Sequence, residues 1–367
     1  MTSGKPTEIA SQYKAYVRRK SLLFGILSVS LVALAMYSIT AGVYKLSLYK
    51  VVTALIGYDE PQAAIVIWNI RFPRIVSAVV AGWALGLSGL IIQCLLRNPL
   101  GSPFTLGISQ GAAFGAAFAI VVLGAGGAAS SSAQTSIVQT VSSSGPMTIR
   151  NLYSVTFCAF MGGLLATGTI LALARLKKMA PEAVILAGVA LSSLFVSGTI
   201  LVQYFATEVE IASVVFWTFG DVGRSNWTEI FWMTALTLVA TAYFTVKRWD
   251  LNALSAGEDT ALALGVEVEK IRLVGMFITA LLASLVTAFL GVIAFLGLLA
   301  PHIGRRLVGA DHRFLIPVSC LIGSLLLLLS DTIGRTIVGS GTLPVGVLTS
   351  FMGAPLFLYL LIKGYDK

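Results

Sequence analysis

Apolar runs long enough to cross a bilayer recur along nearly the whole chain, and no other feature constrains the fold as strongly. A helical crossing takes about 20 apolar residues, because the hydrocarbon offers no water to pair backbone groups. Ten runs are readable, at 22–43, 75–96, 104–124, 153–173, 183–206, 227–246, 273–290, 292–303, 314–330 and 345–362. The eighth is too short to cross alone. With the seventh it makes one apolar stretch over 273–303, interrupted at Gly291 and too long for a single helix at ordinary tilt. A tight hairpin at Gly291 is the expected solution. The expected fold is an all-α polytopic membrane protein with about ten transmembrane helices, in one domain over 1–367.

Charge supports this reading and sets an orientation. Only 11% of residues are charged, against about 25% in a soluble domain, so a water-facing surface could not be covered. The net charge of +9 invites a nucleic-acid reading, but the basic residues are dispersed between apolar runs and make no patch. No nucleic-acid partner is expected. With the N-terminus inside, 18 of the 25 lysines and arginines fall on the cytoplasmic side, as the positive-inside rule requires. Lys45, Lys50, Arg71, Arg74, Arg150, Arg224 and Arg335 fall outside. Arg18, Arg19 and Lys20 before the first run resemble a secretion signal, but that run exceeds the 7–15 residues of a cleaved segment. Residues 1–21 therefore read as a cytoplasmic tail before a retained span, and both termini are expected on the cytoplasmic face of the cytoplasmic membrane.

Two stretches read as non-membrane. Residues 125–148 are rich in Gly, Ser and Thr and uncharged, as in a flexible extracytoplasmic loop. Residues 249–272 form the longest inside loop. There Ser255 and Glu258 fit a capping box, helix formers follow over 260–264, and Gly265 supplies a stop. This short helix is either a docking element or a solvated connector.

The interior is chemically bland. Cys94, Cys158 and Cys320 lie in apolar runs without metal or disulfide spacing, so they read as small buried hydrophobes, and no metal site is expected. No ionisable residue lies near the middle of a span, which argues against proton relays and voltage sensing. His302 and His312 read as helix-end residues. A GxxxxGK[ST] phosphate loop is lacking, so the chain does not bind ATP by that device, and a pump would draw its energy from a partner. Gly82, Gly86 and Gly89 share a helix face, and Gly111 and Gly115 form a GxxxG, either a seam between two chains or tight packing within one bundle.

Several motifs follow one another in order. IRFPR stands at 70–74, RNPLGSP at 97–103, LGISQGA at 106–112, LAGVAL at 186–191 and WTFG at 217–220. GEDTALALGV stands at 257–266, GLLAPHIGR at 297–305, LPVGV at 343–347 and GAPLF at 353–357. The set resembles the permease subunits of the type II ABC importers for iron–siderophore, haem and cobalamin, the FecCD family. The resemblance runs from about Arg71 to Lys363.

The resemblance implies ten helices per subunit, a second permease copy forming the pore, two ABC ATPase subunits on the inside loop, and an extracytoplasmic substrate-binding protein. It implies no cofactor on this chain, with ATP and Mg on the ATPase. It implies that Ser255, Gly257, Glu258, Ala261, Leu264 and Gly265 belong to the coupling helix seated on the ATPase. It also implies that Arg71, Arg74 and Arg335 dock acidic residues of the binding protein. Arginine suits that role because it stays charged and pairs with carboxylates bidentately. An intrachain pair of Arg335 with Asp331, four residues back, is the competing reading. For Arg71 and Arg74 the competing reading is interfacial anchoring of the second span. Ser109, Gln110, Ser192 and Ser193 are candidate lining of a weakly binding transport path. The expected cargo is a ferric siderophore, with haem and cobalamin as alternatives and an ion-coupled secondary carrier as the alternative of another class.

Overall fold

An apolar segment that must pair its own backbone coils into a helix, and the chain does so repeatedly. A computed structural model describes residues 6–42, 49, 53, 65–125, 149–337 and 343–364. Its α-helices are α1 (Pro6–Thr40), α2 (Phe72–Leu95), α3 (Ile108–Val121), α4 (Ile149–Arg175), α5 (Pro181–Tyr204), α6 (Glu208–Thr218) and α7 (Trp227–Val246). They continue with α8 (Arg248–Ala256), α9 (Glu258–Ala263), α10 (Val268–Leu290), α11 (Leu296–Val308), α12 (His312–Ile337) and α13 (Val345–Gly364). Each predicted span overlaps one of these helices, and among the described residues seven helices are long and apolar enough to cross a bilayer on their own. Of the predicted loop at 125–148, all but Ala125 lies outside the described residues.

Helix α2 is the axis of the bundle. It is preceded by a π-helical turn at Val66–Arg71, and its apolar stretch is 83% buried. Around it pack α7, α10, α11 and α12. The small residues explain how they come so close. Gly82 faces the carbonyl of Gly323 on α12, Gly86 that of Ser319, and Gly89 that of Gly297 on α11. Gly111 and Gly115 likewise face Gly162 and Cys158 on α4. Both glycine stripes therefore pack within this chain. A Cβ at Gly89 would lie 1.7 Å from the Gly297 oxygen, and backbone cannot yield as a flexible side chain can. Gly89→Ala is expected to cost about 3 kcal/mol or more. That would be read as a lowered melting temperature of the purified chain, and an unchanged melt would refute the close α2–α11 contact.

The stretch 273–303 departs from the expected hairpin. Helix α10 ends at Leu290, residues 291–294 are non-helical, and α11 begins only at Leu296. The chain turns at Gly291 (φ 81°) and at Phe295 (φ 63°), a left-handed conformation uncommon outside glycine. The eighth predicted span is therefore part irregular backbone and part helix. Non-helical backbone is tolerated at this depth only inside protein or beside a cavity, and Ile293 and Ala294 are buried. Residues 103–107 likewise form turns where the third span was expected to begin, which leaves α3 only 14 residues long.

Candidate functional sites at the two ends and in the wall of the bundle

The three arginines expected to dock a binding protein, Arg71, Arg74 and Arg335, meet at one end of the bundle. Each belongs to a different local setting: Arg71 closes the π turn, Arg74 stands in the first turn of α2, and Arg335 lies near the end of α12. Asp331, fully buried, takes Arg74 Nε at 2.7 Å on one oxygen and Arg335 Nε at 3.0 Å on the other. Asp221 holds Arg74 Nη2 at 3.1 Å, and its backbone N–H donates to the Leu290 carbonyl at the end of α10. Arg335 also donates to the Ser38 and Ala41 carbonyls, and Arg71 to that of Ile39. These are last-turn acceptors of α1, so two arginines cap that helix and oppose its dipole. The pair of Arg335 with Asp331 is therefore formed, and all three side chains turn inward. Arg71 is 5% and Arg335 9% exposed.

At the other end lie α8 and α9, where the capping expectation needs correction. Ser255 is not the N-cap of α9. It sits in the last turn of α8, its hydroxyl 3.4 Å from Cys94 Sγ. Gly257, at φ 140°, ends α8 and starts α9 without a side-chain cap. Glu258 instead turns to Arg272 Nη2, at 3.0 Å. The stop falls at Gly265 (φ 79°), where Gly265 N–H donates to Leu262 O and Val266 N–H to Ala261 O, a Schellman closure. Ala261 is buried, while Leu262 and Leu264 are exposed.

Arg272 is the residue that sequence reading missed. It is 1% exposed, and besides Glu258 it donates from Nε to Leu95 O at 3.0 Å and from Nη1 to Met179 O at 2.8 Å. One guanidinium thus ties α9 to the end of α2, to the turn after α4 and to the start of α10. Only its place at the mouth of an apolar run hinted at this. Beside it, Gln93 accepts from Arg305 and donates to Leu298 O at 3.3 Å, fastening α11 to α2.

The open wall of the bundle lies between α6, α13 and the non-helical stretch at 291–294. A cavity of about 510 Å³ is lined there by Phe104, Thr218, Phe219, Val292, Ala294, Val347, Ser350 and Phe351, among others. Its surface is apolar with two hydroxyls. The Val292 carbonyl fits against Gly220 and Gly346, at both of which a Cβ would come within 2.4 Å of it. None of Ser109, Gln110, Ser192 and Ser193 lines this cavity. Ser109 is buried at the start of α3, and Gln110 Oε1 is buried without a partner. Ser192 packs over Gly107 and donates to Gly188 O, and Ser193 donates to Val189 O from an exposed position.

A polytopic helical bundle with a braced pair of short helices at one end and no nucleotide loop of its own defines the class: the permease subunit of an ABC importer. Residues 30–363 match the FecCD transport family, and the chain belongs to it. A Methanocaldococcus jannaschii protein described as an ABC transporter permease, MJ0087, is 50% identical over 360 residues, covering 98% of this chain and 99% of its own. The hemin transport system permease protein HmuU of Yersinia pestis is 35% identical over 350 residues, covering 94% and 97%. A solved structure described as an inward-facing conformation of a metal-chelate type ABC transporter superposes with a TM-score of 0.76 at 30% identity, covering 94% and 99%. Further relatives are named for Fe(3+)-citrate, iron(3+)-hydroxamate, molybdate and vitamin B12 import.

Proposed function

We propose that this permease carries a ferric siderophore inward across the cytoplasmic membrane, as one of two copies forming the pore. Two ATPase subunits dock on α8 and α9, and an extracytoplasmic binding protein delivers cargo to the arginine end. ATP and Mg stay on the ATPase. The observation that carries this reading is α9: a short helix fixed by a buried arginine to two long helices and a connecting turn, with Leu262 and Leu264 facing out. A nucleotide-driven movement needs such a rigid element to push on. In this orientation both termini are cytoplasmic.

At the arginine end, docking rests on field rather than free side chains. Three arginines against Asp221 and Asp331 leave a net +1 on the cluster (3 − 2), which attracts acidic groups at a distance. The apolar cavity at Phe351 and Val292 suits a bulky chelate that must pass without being held. Relatives are named for iron–chelate import and equally for hemin, molybdate and vitamin B12, and the ferric chelate is the cargo this reading takes. An ion-coupled carrier would need ionisable groups at mid-span; the buried charges described here gather at the ends.

The test is uptake into proteoliposomes holding the permease and its ATPase, with the binding protein outside. Ferric hydroxamate is expected to accumulate only with ATP. Accumulation without ATPase subunits would overturn the importer scheme, and accumulation of hemin or cobalamin in place of the ferric chelate would overturn the cargo.

A further inference from the structure

A second cavity opens on the opposite kind of surface, toward lipid. It lies between α1, α2, α7 and α12, measures about 320 Å³, and has Phe24, Leu31, Val79, Trp83, Ile316 and Leu321 in its wall. The few polar atoms deep in it are already paired. Trp83 Nε1 donates to Thr241 Oγ1 at 3.0 Å, and Ser324 Oγ donates to Val79 O at 2.7 Å. The lower groove therefore asks for hydrocarbon. Helix α1, which forms one side, has only 11% of its apolar stretch buried, so this side of the bundle faces the bilayer.

The mouth of the groove is different. Arg248, His312 and Arg313 line it, at the end of the bundle that carries α8 and α9. Arg248 Nε is buried with no hydrogen-bond partner, and its guanidinium makes one long bond, to Thr245 O at 3.4 Å. His312 is 3% exposed, and its Nε2 is also buried and unpartnered. Its Nδ1 faces Asn252 Oδ1 at 2.8 Å, which can only accept, so Nδ1 carries the proton and Nε2 is left as an acceptor. Arg313 rests on the Phe314 ring and donates to Tyr13 OH at 3.1 Å, with further donors to spare. The nearby Asp311 carboxylate does not line the groove; it is engaged by Asn252 Nδ2 and the Arg313 backbone N–H.

Two arginines with unused donors, a buried acceptor beside them and a hydrocarbon slot below match one amphiphile. We propose that the groove holds one anionic phospholipid. Its phosphodiester sits at Arg248 and Arg313, a headgroup hydroxyl reaches His312 Nε2, and an acyl chain lies along Trp83 and Leu321. Basic pockets between membrane helices attract anionic headgroups through the same charge. A buried arginine nitrogen without a partner is costly, and a phosphate oxygen satisfies it. The occupant is a lipid rather than free phosphate because the site joins the charged mouth to an apolar slot on the bilayer side. In the proposed orientation this is the cytoplasmic leaflet, yet the site does not depend on the cargo or the partners.

The test uses the whole permease in nanodiscs of equal parts phosphatidylglycerol and phosphatidylcholine, with co-retained lipid read by native mass spectrometry after release into detergent. Wild type is expected to keep one phosphatidylglycerol in preference to phosphatidylcholine. R248Q/R313Q should lose that preference by roughly fivefold per arginine, and inorganic phosphate should not displace the lipid. L321W, which fills the slot without changing charge, should lose retention while its melting temperature stays near that of wild type. Equal retention of the two lipids, or unchanged preference in R248Q/R313Q, overturns the proposal. Displacement by inorganic phosphate overturns it too, by showing an anion site that ignores the chain.

Discussion

Asp331→Ala is expected to cost on the order of 3–5 kcal/mol, the largest loss among charge-removing substitutions in this chain. The carboxylate is fully buried and is gripped on both oxygens by arginines that are themselves nearly inaccessible. Removing it leaves two positive charges facing each other with no water to screen them. A buried triad of this kind contributes little net stability compared with apolar residues of equal volume, yet breaking it at one member is severe. Asp331→Asn keeps the shape and should recover little, because the charge is what the arginines require. The thermal melt of the solubilised permease reads the effect. Adding Arg335→Ala to Asp331→Ala should then cost far less than Arg335→Ala costs alone. A melt unchanged by Asp331→Ala would mean that the arginines are not braced within the chain and are available to a partner.

The second large effect falls on Arg272. Arg272→Ala strips donors from the buried Leu95 and Met179 carbonyls, at about 1–3 kcal/mol for each unsatisfied group, and leaves a void where a large side chain stood. Glu258 adds less. It is 42% exposed, so Glu258→Gln should change stability by about 1 kcal/mol or less. Lysine cannot replace the fork, because one ammonium does not reach three acceptors on different elements. The functional signature is distinct from instability: in proteoliposomes holding Arg272→Lys with the proposed ATPase subunits, those subunits should continue to hydrolyse ATP while cargo delivered per ATP falls several-fold. Wild-type delivery per ATP in Arg272→Lys would show that α9 transmits force without this brace.

The spans were legible because their signal is local. The apolar run at 227–246 has the same limits as α7, whose start Asn226 and Glu229 cap. A capping rule misplaced a helix start at Ser255, because Arg272, 14 residues beyond Glu258, takes that carboxylate. It passed over Thr207 and Glu210, which do form a capping box and open α6. What distinguishes the cases is tertiary competition for the carboxylate, which no four-residue pattern contains. The buried ion cluster was half legible. Arg335 and Asp331 are four apart on one helix, but Arg74 reaches Asp331 from 257 residues away. The cavity residues were least legible. Phe104 and Val292 owe their position to non-helical backbone and Phe351 to α13, and apolar side chains carry no mark separating a cavity wall from a core.

The non-helical stretch between α10 and α11 has a mechanical meaning. A continuous helix transmits bending only by straining its hydrogen-bond ladder. Here the ladder of α10 closes with Gly291 N–H on Thr287 O, and that of α11 opens afresh at Phe295 O, which accepts from Leu298 and Leu299. Between them, residues 292–294 belong to neither helix, yet they are packed: the Val292 carbonyl abuts Gly220 and Gly346, and Ile293 and Ala294 are buried. Helix α11 is held to α2 through Gln93 and α10 to α9 through Arg272, so α9 and α11 are linked through side chains and not along one continuous helical ladder.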